Sequence, residues 1–158
     1  MNVTYYDLAE NDYVFFKEAY NVGIRYLGML GLAEDCCCKY LKHLIACYAK
    51  DEDVKEHTLD DFTNNVDGLL DCVHDFAGIF ISISDRKVIR AVQDYRKIIS
   101  RIPFDMDTDS SQVDECLHAI EVCKNLVDDA IEKFSSKEVE VKINVNRSVN
   151  DLLKDAEG

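Results

Sequence analysis

The strongest constraint on this chain is a single apolar stripe near its C-terminal end. Val113, Leu117, Ile120, Cys123, Val127, Ala130 and Phe134 recur at intervals of three and four residues over six turns. That spacing lines one face of an α-helix and no face of a strand. A stripe this long cannot lie on a surface, so the chain must supply other helices to cover it. The turn residues agree. One Pro and six Gly in 158 residues are too few for a loop-rich or all-β architecture, and the expectation is an all-α fold in one domain with its own core.

The remaining helices follow from the same periodicity. A first helix is expected over about Thr4 to Tyr20, with Ala9, Tyr13, Phe16 and Tyr20 on one face. A second runs from about Ile24 to Ala49. Its stripe of Leu27, Leu30, Cys37, Leu41, Leu44 and Tyr48 is widened by Cys36, Tyr40 and Cys47, and a face that broad must meet more than one neighbour. A third is expected to start at Thr58, with Leu59, Phe62, Val66 and Leu69 or Leu70 buried. Phe76 to Ile83 reads as a buried helical or irregular connector. A fourth helix, capped by Ser84 or Asp85, carries Val88, Val92, Tyr95, Ile99 and Ile102 toward the core and stops before Pro103. The stripe helix follows Ser110 or Ser111. Beyond it, Val139, Val141, Ile143 and Val145 alternate with polar residues, which is the pattern of a strand. Val149, Leu152 and Leu153 suit a short helix after Ser148. The expected organisation is therefore a helical domain over 1–136 and an extension over 137–158.

Seven cysteines, three of them consecutive at Cys36, Cys37 and Cys38, point away from a disulfide framework, because neighbours on a helix face different directions. With acids and no basic segment in Met1 to Glu10, reduced thiols in a cytoplasmic setting are the expectation. Cys36 and Cys38 lie too close to chelate a zinc ion together on one helix and Cys47, Cys72, Cys116 and Cys123 are isolated from one another, so no metal or cofactor is expected. No apolar run approaches the ~20 residues that span a bilayer, so no membrane association is expected.

A net charge of −13 opposes indiscriminate nucleic-acid binding. Charge is unevenly spread, however. From Arg86 to Arg101 six basic residues face one acid, a local +5. Arg86, Arg90, Lys97 and Arg101 recur on one helix face opposite the apolar stripe and are the first candidates to hold a phosphate. Equally, they suit neutralising acids on adjacent helices. Lys39, Lys42 and His43 form a second, weaker set, more simply read as a solvated border of the second helix. No P-loop, nucleophile elbow or dinucleotide-binding glycine pattern occurs.

Several segments, taken in order, resemble the HEPN family (higher eukaryotes and prokaryotes nucleotide-binding). They are Asn11-Asp12-Tyr13 with Phe15-Phe16-Lys17-Glu18-Ala19-Tyr20; Asp35 through the three cysteines to Lys39-Tyr40-Leu41-Lys42-His43-Leu44-Ile45; His57-Thr58-Leu59; and Tyr95 through Arg101-Ile102-Pro103. The resemblance spans roughly residues 5 to 134. It implies an up-and-down bundle of four to five helices, commonly a homodimer, often partnered by a nucleotidyltransferase or found in toxin–antitoxin systems. Many members are ribonucleases that use an Arg followed four to six residues later by a His, the His moving a proton and the Arg holding the phosphate. Here His43, His57 and His74 have Arg25 as the nearest preceding Arg, and His118 has Arg101. The motif is absent and no catalytic residue is assigned. The resemblance thus implies a non-catalytic module that binds a nucleotide, RNA or a partner protein. An acidic protein-binding regulator without nucleotide affinity and a ribonuclease with a nonstandard site are the alternatives.

Overall fold

The computed structural model describes residues 3–52, 65–99 and 110–157. Among them are five helices and no strand: α1 (Tyr5–Asn21), α2 (Gly28–Tyr48), α3 (Val66–Ala77), α4 (Ile83–Ile99) and α5 (Ser110–Glu157). The chain divides into two compact units, Met1–Val127 and Asp128–Gly158. No helix of the described residues is long and apolar enough to cross a membrane.

Within the first unit α2 is central and packs against α1, α3 and α4. Leu30, Ala33, Cys36, Cys37, Tyr40, Leu41, Leu44 and Ile45 are wholly buried along it, which is what its broad apolar face demands. Three successive buried cysteines turn through about 200° of the helix circumference, so neighbours enclose α2 on several sides. Six cysteines are buried and Cys47 is exposed. The sequence places the start of α2 at Ile24, four residues early. Arg25 explains the delay. Its Nη1 donates to the carbonyls of Tyr20 and Ile24 at 2.9 Å each, and its guanidinium lies 3.9 Å from the Tyr20 ring. Those contacts hold the linker against the end of α1.

Helix α1 opens with a capping box: Thr4 Oγ1 accepts from Asp7 N at 3.2 Å and Asp7 accepts from Thr4 N at 3.0 Å. Ala9 and Phe16 are its buried residues. Cys36 Sγ donates to the Ala9 carbonyl at 3.3 Å, and Tyr40 donates to Glu10 at 2.7 Å. In α3, Asn65 caps the start by accepting from Gly68 N at 3.0 Å, and Gly78 ends the helix at φ +67°, a left-handed conformation natural to glycine. Val66, Leu69 and Leu70 are buried as expected. The expected cap at Thr58, with His57, Leu59 and Phe62, lies outside the described residues.

Three expectations are corrected. Phe76 to Ile83 is not a buried connector. Helix α3 reaches Ala77, residues 78–82 form an irregular turn, and Phe76, Phe80 and Ile83 are 43%, 79% and 79% exposed. Helix α4 begins at Ile83 rather than after Ser84 or Asp85, because the Ser82 hydroxyl accepts from Asp85 N at 3.0 Å. Its buried pair is Ile89 and Val92, while Val88 and Tyr95 are half-buried; the inward face is rotated by about one residue. Finally, the alternating segment Val139 to Val145 is helical, inside a helix that continues to Glu157. A solitary strand leaves its N–H and C=O groups unpaired, whereas a helix satisfies them within itself. The α5 stripe itself holds in the first unit: Val113, Leu117, Ile120, Cys123 and Val127 are buried, joined by Cys116 and Ala119.

Candidate functional site

The basic face of α4 is built against α3. These helices run antiparallel, and the ion pairs climb them in step. Arg86 pairs with Asp71, and Arg90 Nε donates to Asp67 Oδ2 at 3.0 Å. Asp67 and Asp71 are four apart on α3, as Arg86 and Arg90 are on α4, so each rung lies one turn from the next. Of the four residues singled out on this face, two are thus engaged by neighbouring carboxylates. Lys97 is exposed at the far end of α4, and Arg101 lies outside the described residues.

The second set faces α1 instead. Lys39 Nζ meets Asp12 at 2.5 Å, and Lys42 Nζ lies 5.7 Å from the Tyr5 ring centre. His43 packs 5.4 Å from the Tyr6 ring, with its Nε2 3.6 Å from Cys47 Sγ. Burial holds the His43 imidazole below its ordinary pKa, partly offset by Asp7. The two sets do not converge.

Two groupings escape sequence reasoning. The first is an open cleft of about 320 Å³ between α4 and α5, lined by Lys87, Val88, Ala91, Glu115 and His118. Lys87, Ala91 and Tyr95 succeed one another every four residues along α4, and Glu115 and His118 are three apart on α5. The Tyr95 hydroxyl donates to Glu115. Val88 and Ala91 give the cleft an apolar floor, with an ammonium, an imidazole and a carboxylate at its rim. His118 reads in the sequence as a structural residue beside the core stripe; it is exposed. The available signal was the Glu115–His118 pair on one helix face, but its complement lies on another helix 28 residues upstream.

The second is Glu34, 2% exposed on α2 and the buried charged residue of the described core. Its Oε2 has no hydrogen-bond partner. Burial raises its carboxyl to about 7, opposed by Arg96 of α4 and reinforced by Asp35. Arg96 reaches this region over Gly31: a Cβ there would stand 2.7 Å from Arg96 Nη1. Glycine therefore lets the guanidinium lie against the α2 backbone one turn from Glu34.

Among the described residues no group of three or more His, Cys, Asp or Glu is arranged to hold a metal ion. No protein-family model, curated protein or solved structure matches this chain.

Proposed function

We propose that this chain is a non-catalytic helical binding module of the HEPN kind, and that it takes a nucleotide or a short stretch of RNA at the α4–α5 cleft. The observation that carries the reading is the composition of that cleft. Lys87 offers a cation to a phosphate, Val88 and Ala91 offer an apolar floor to a base, and Glu115 and His118 offer polar groups to its edge or to ribose hydroxyls. The Arg-to-His ribonuclease spacing is missing from the sequence, which is why binding rather than turnover is proposed. Pairing of two copies and docking of a nucleotidyltransferase belong to the same reading.

Titration calorimetry with mono-, di- and triphosphate nucleotides and a short single-stranded RNA tests it. Lys87→Glu should weaken the best ligand at least tenfold, whereas Arg90→Glu, at a residue engaged by Asp67, should change it little. Wild-type protein that binds none of these ligands defeats the proposal. RNA cleavage lost in His118→Ala would instead favour a nonstandard ribonuclease.

A second reading has its own observation. Arg86 and Arg90 are matched by Asp71 and Asp67, which leaves less cationic surface for a nucleic-acid backbone and favours an acidic regulator that docks a basic protein. It predicts salt-sensitive binding to such a partner and no nucleotide affinity.

A further inference from the structure

Helix α1 is apolar on two sides, and only one is used by the core. Ala9 and Phe16 face inward. On the outside, Leu8, Phe15 and the C-cap residue Val22 are 42%, 67% and 75% exposed. They are seven residues apart, so they form a nearly straight ridge about 21 Å long. Val14, 49% exposed, broadens it. Spacing by seven supplies one of the two apolar positions of a heptad, with polar Asn11 and Glu18 three residues after Leu8 and Phe15, so the ridge can meet a partner helix along one narrow line at a shallow crossing angle. A surface that regular fits a helix better than it fits a flat or irregular partner.

Charge selects among helices. The exposed residues of α1 are Asp7, Leu8, Asn11, Val14, Phe15, Glu18 and Asn21; two are acidic and none is basic. Asp7 and Glu18 lie on the outer arc beside the ridge, eleven residues apart, or three helical turns. A second copy of α1 would bring the same two carboxylates, and its one cation, Lys17, is half-buried on the side of the helix away from the ridge. A partner helix with its own apolar seam and Lys or Arg on the flanks answers both the ridge and the acids, in a chain of net charge −13.

We infer that the outer face of α1, centred on Leu8, Phe15 and Val22, docks a basic amphipathic helix of a partner protein. The site is separate from the α4–α5 cleft and does not depend on what the cleft binds.

The test uses the full chain and a labelled 21-residue peptide with Leu at heptad positions a and d and Lys at e and g, followed by fluorescence anisotropy. A second peptide of identical composition, with the leucines redistributed so that no seam forms, controls for charge. The expected result is micromolar binding of the first peptide, at least tenfold weaker binding of the second, and at least tenfold loss in Phe15→Ser/Val22→Ser. Both substituted side chains are largely exposed, so the variant should melt within a few degrees of the wild type, and Phe80→Ser should bind normally. The inference is overturned if the peptides bind alike, if the double variant binds like the wild type, or if sedimentation velocity finds a wild-type dimer that the double variant abolishes, which would make a second copy the occupant.

Discussion

Glu34→Gln should make this protein more stable at alkaline pH relative to acid, the reverse of what deleting half of an ion pair does. In the native state the Glu34 carboxyl is raised to about 7 from an ordinary 4.5, first by burial. Between those values the folded chain holds a proton that the unfolded chain has released. Neutral Glu34 therefore favours folding fully below pH 4.5, and that contribution is lost as pH rises through 7. At 1.36 kcal/mol per decade the gap sets a ceiling of roughly 3 kcal/mol; water near the guanidinium end of Arg96 and an effective interior dielectric near 20 reduce it to about 1–2 kcal/mol. Glutamine keeps the volume and cannot ionise. It adds two donors of its own, a cost that does not vary with pH, so the informative quantity is the difference between conditions. The melting temperature of Glu34→Gln minus that of the wild type should be about 3–6 °C larger at pH 8 than at pH 5, read by circular dichroism. A difference that is the same at both pH values, or that is smaller at pH 8, would mean that Glu34 is held as a carboxylate by Arg96 and that its second oxygen is not stranded.

Gly31→Ala should change overall stability by less than about 1 kcal/mol, since the gain in helix propensity offsets displacement of a flexible side chain, but it should move the Glu34 titration upward by pushing Arg96 away; a pH–stability profile checks it. Asn65→Ala removes the oxygen that caps Gly68 N and should cost about 1 kcal/mol, or 2–4 °C in melting temperature. Ile120→Ala, at a wholly buried position of α5, should cost about 2–5 kcal/mol in urea denaturation. Iodoacetamide should label Cys47 in the native protein well before the other six cysteines, which are buried, with the Cys116 thiol pushed up to about 12; mass spectrometry should count one fast adduct, and seven in denaturant.

Much of the helical frame was legible because it rests on periodicity. The α5 stripe from Val113 to Ala130 and the middle of the α2 face from Leu30 to Leu44 are buried where the spacing puts them, whereas Cys47, read as part of the α2 face, is exposed and Leu27, Tyr48 and Phe134 are half-buried at the ends. Helix α4 was harder for a physical reason. Val88 and Ile89 are adjacent, each starts an acceptable apolar series, and only the placement of α2 decides that Ile89 goes inside. Phe76 to Ile83 misleads because apolar composition predicts burial, yet a turn between two helices at a hairpin tip has little above it to pack against. The tail misleads through alternation, a local signal that ignores whether a strand would have a neighbour. The functional groupings were the least legible. Arg86 and Arg90 were visible as a basic face, but their aspartates sit 15 and 23 residues upstream. Glu34 is an ordinary acid in the sequence. Only the fold brings Arg96 over Gly31 and removes the water from around its carboxyl.

The rungs between α3 and α4 carry a further implication. Asp67, Asp71 and Asp75 repeat every four residues on α3, while α4 offers Arg86 and Arg90. The acidic row is one step longer than the basic row. Sliding the hairpin by one turn would pair Asp71 with Arg90 and Asp75 with Arg86, and the number of ion pairs would be unchanged. Electrostatics is thus degenerate between two alignments. The choice falls to uncharged groups: the buried Leu69, Leu70, Ile89 and Val92, whose packing a slip would break, and the ends of the turn, where Gly78 closes α3 in a left-handed conformation and the Ser82 hydroxyl opens α4. Uncharged residues, in the core and at the turn, act as the stop that keeps a charged zipper from engaging one tooth out of place.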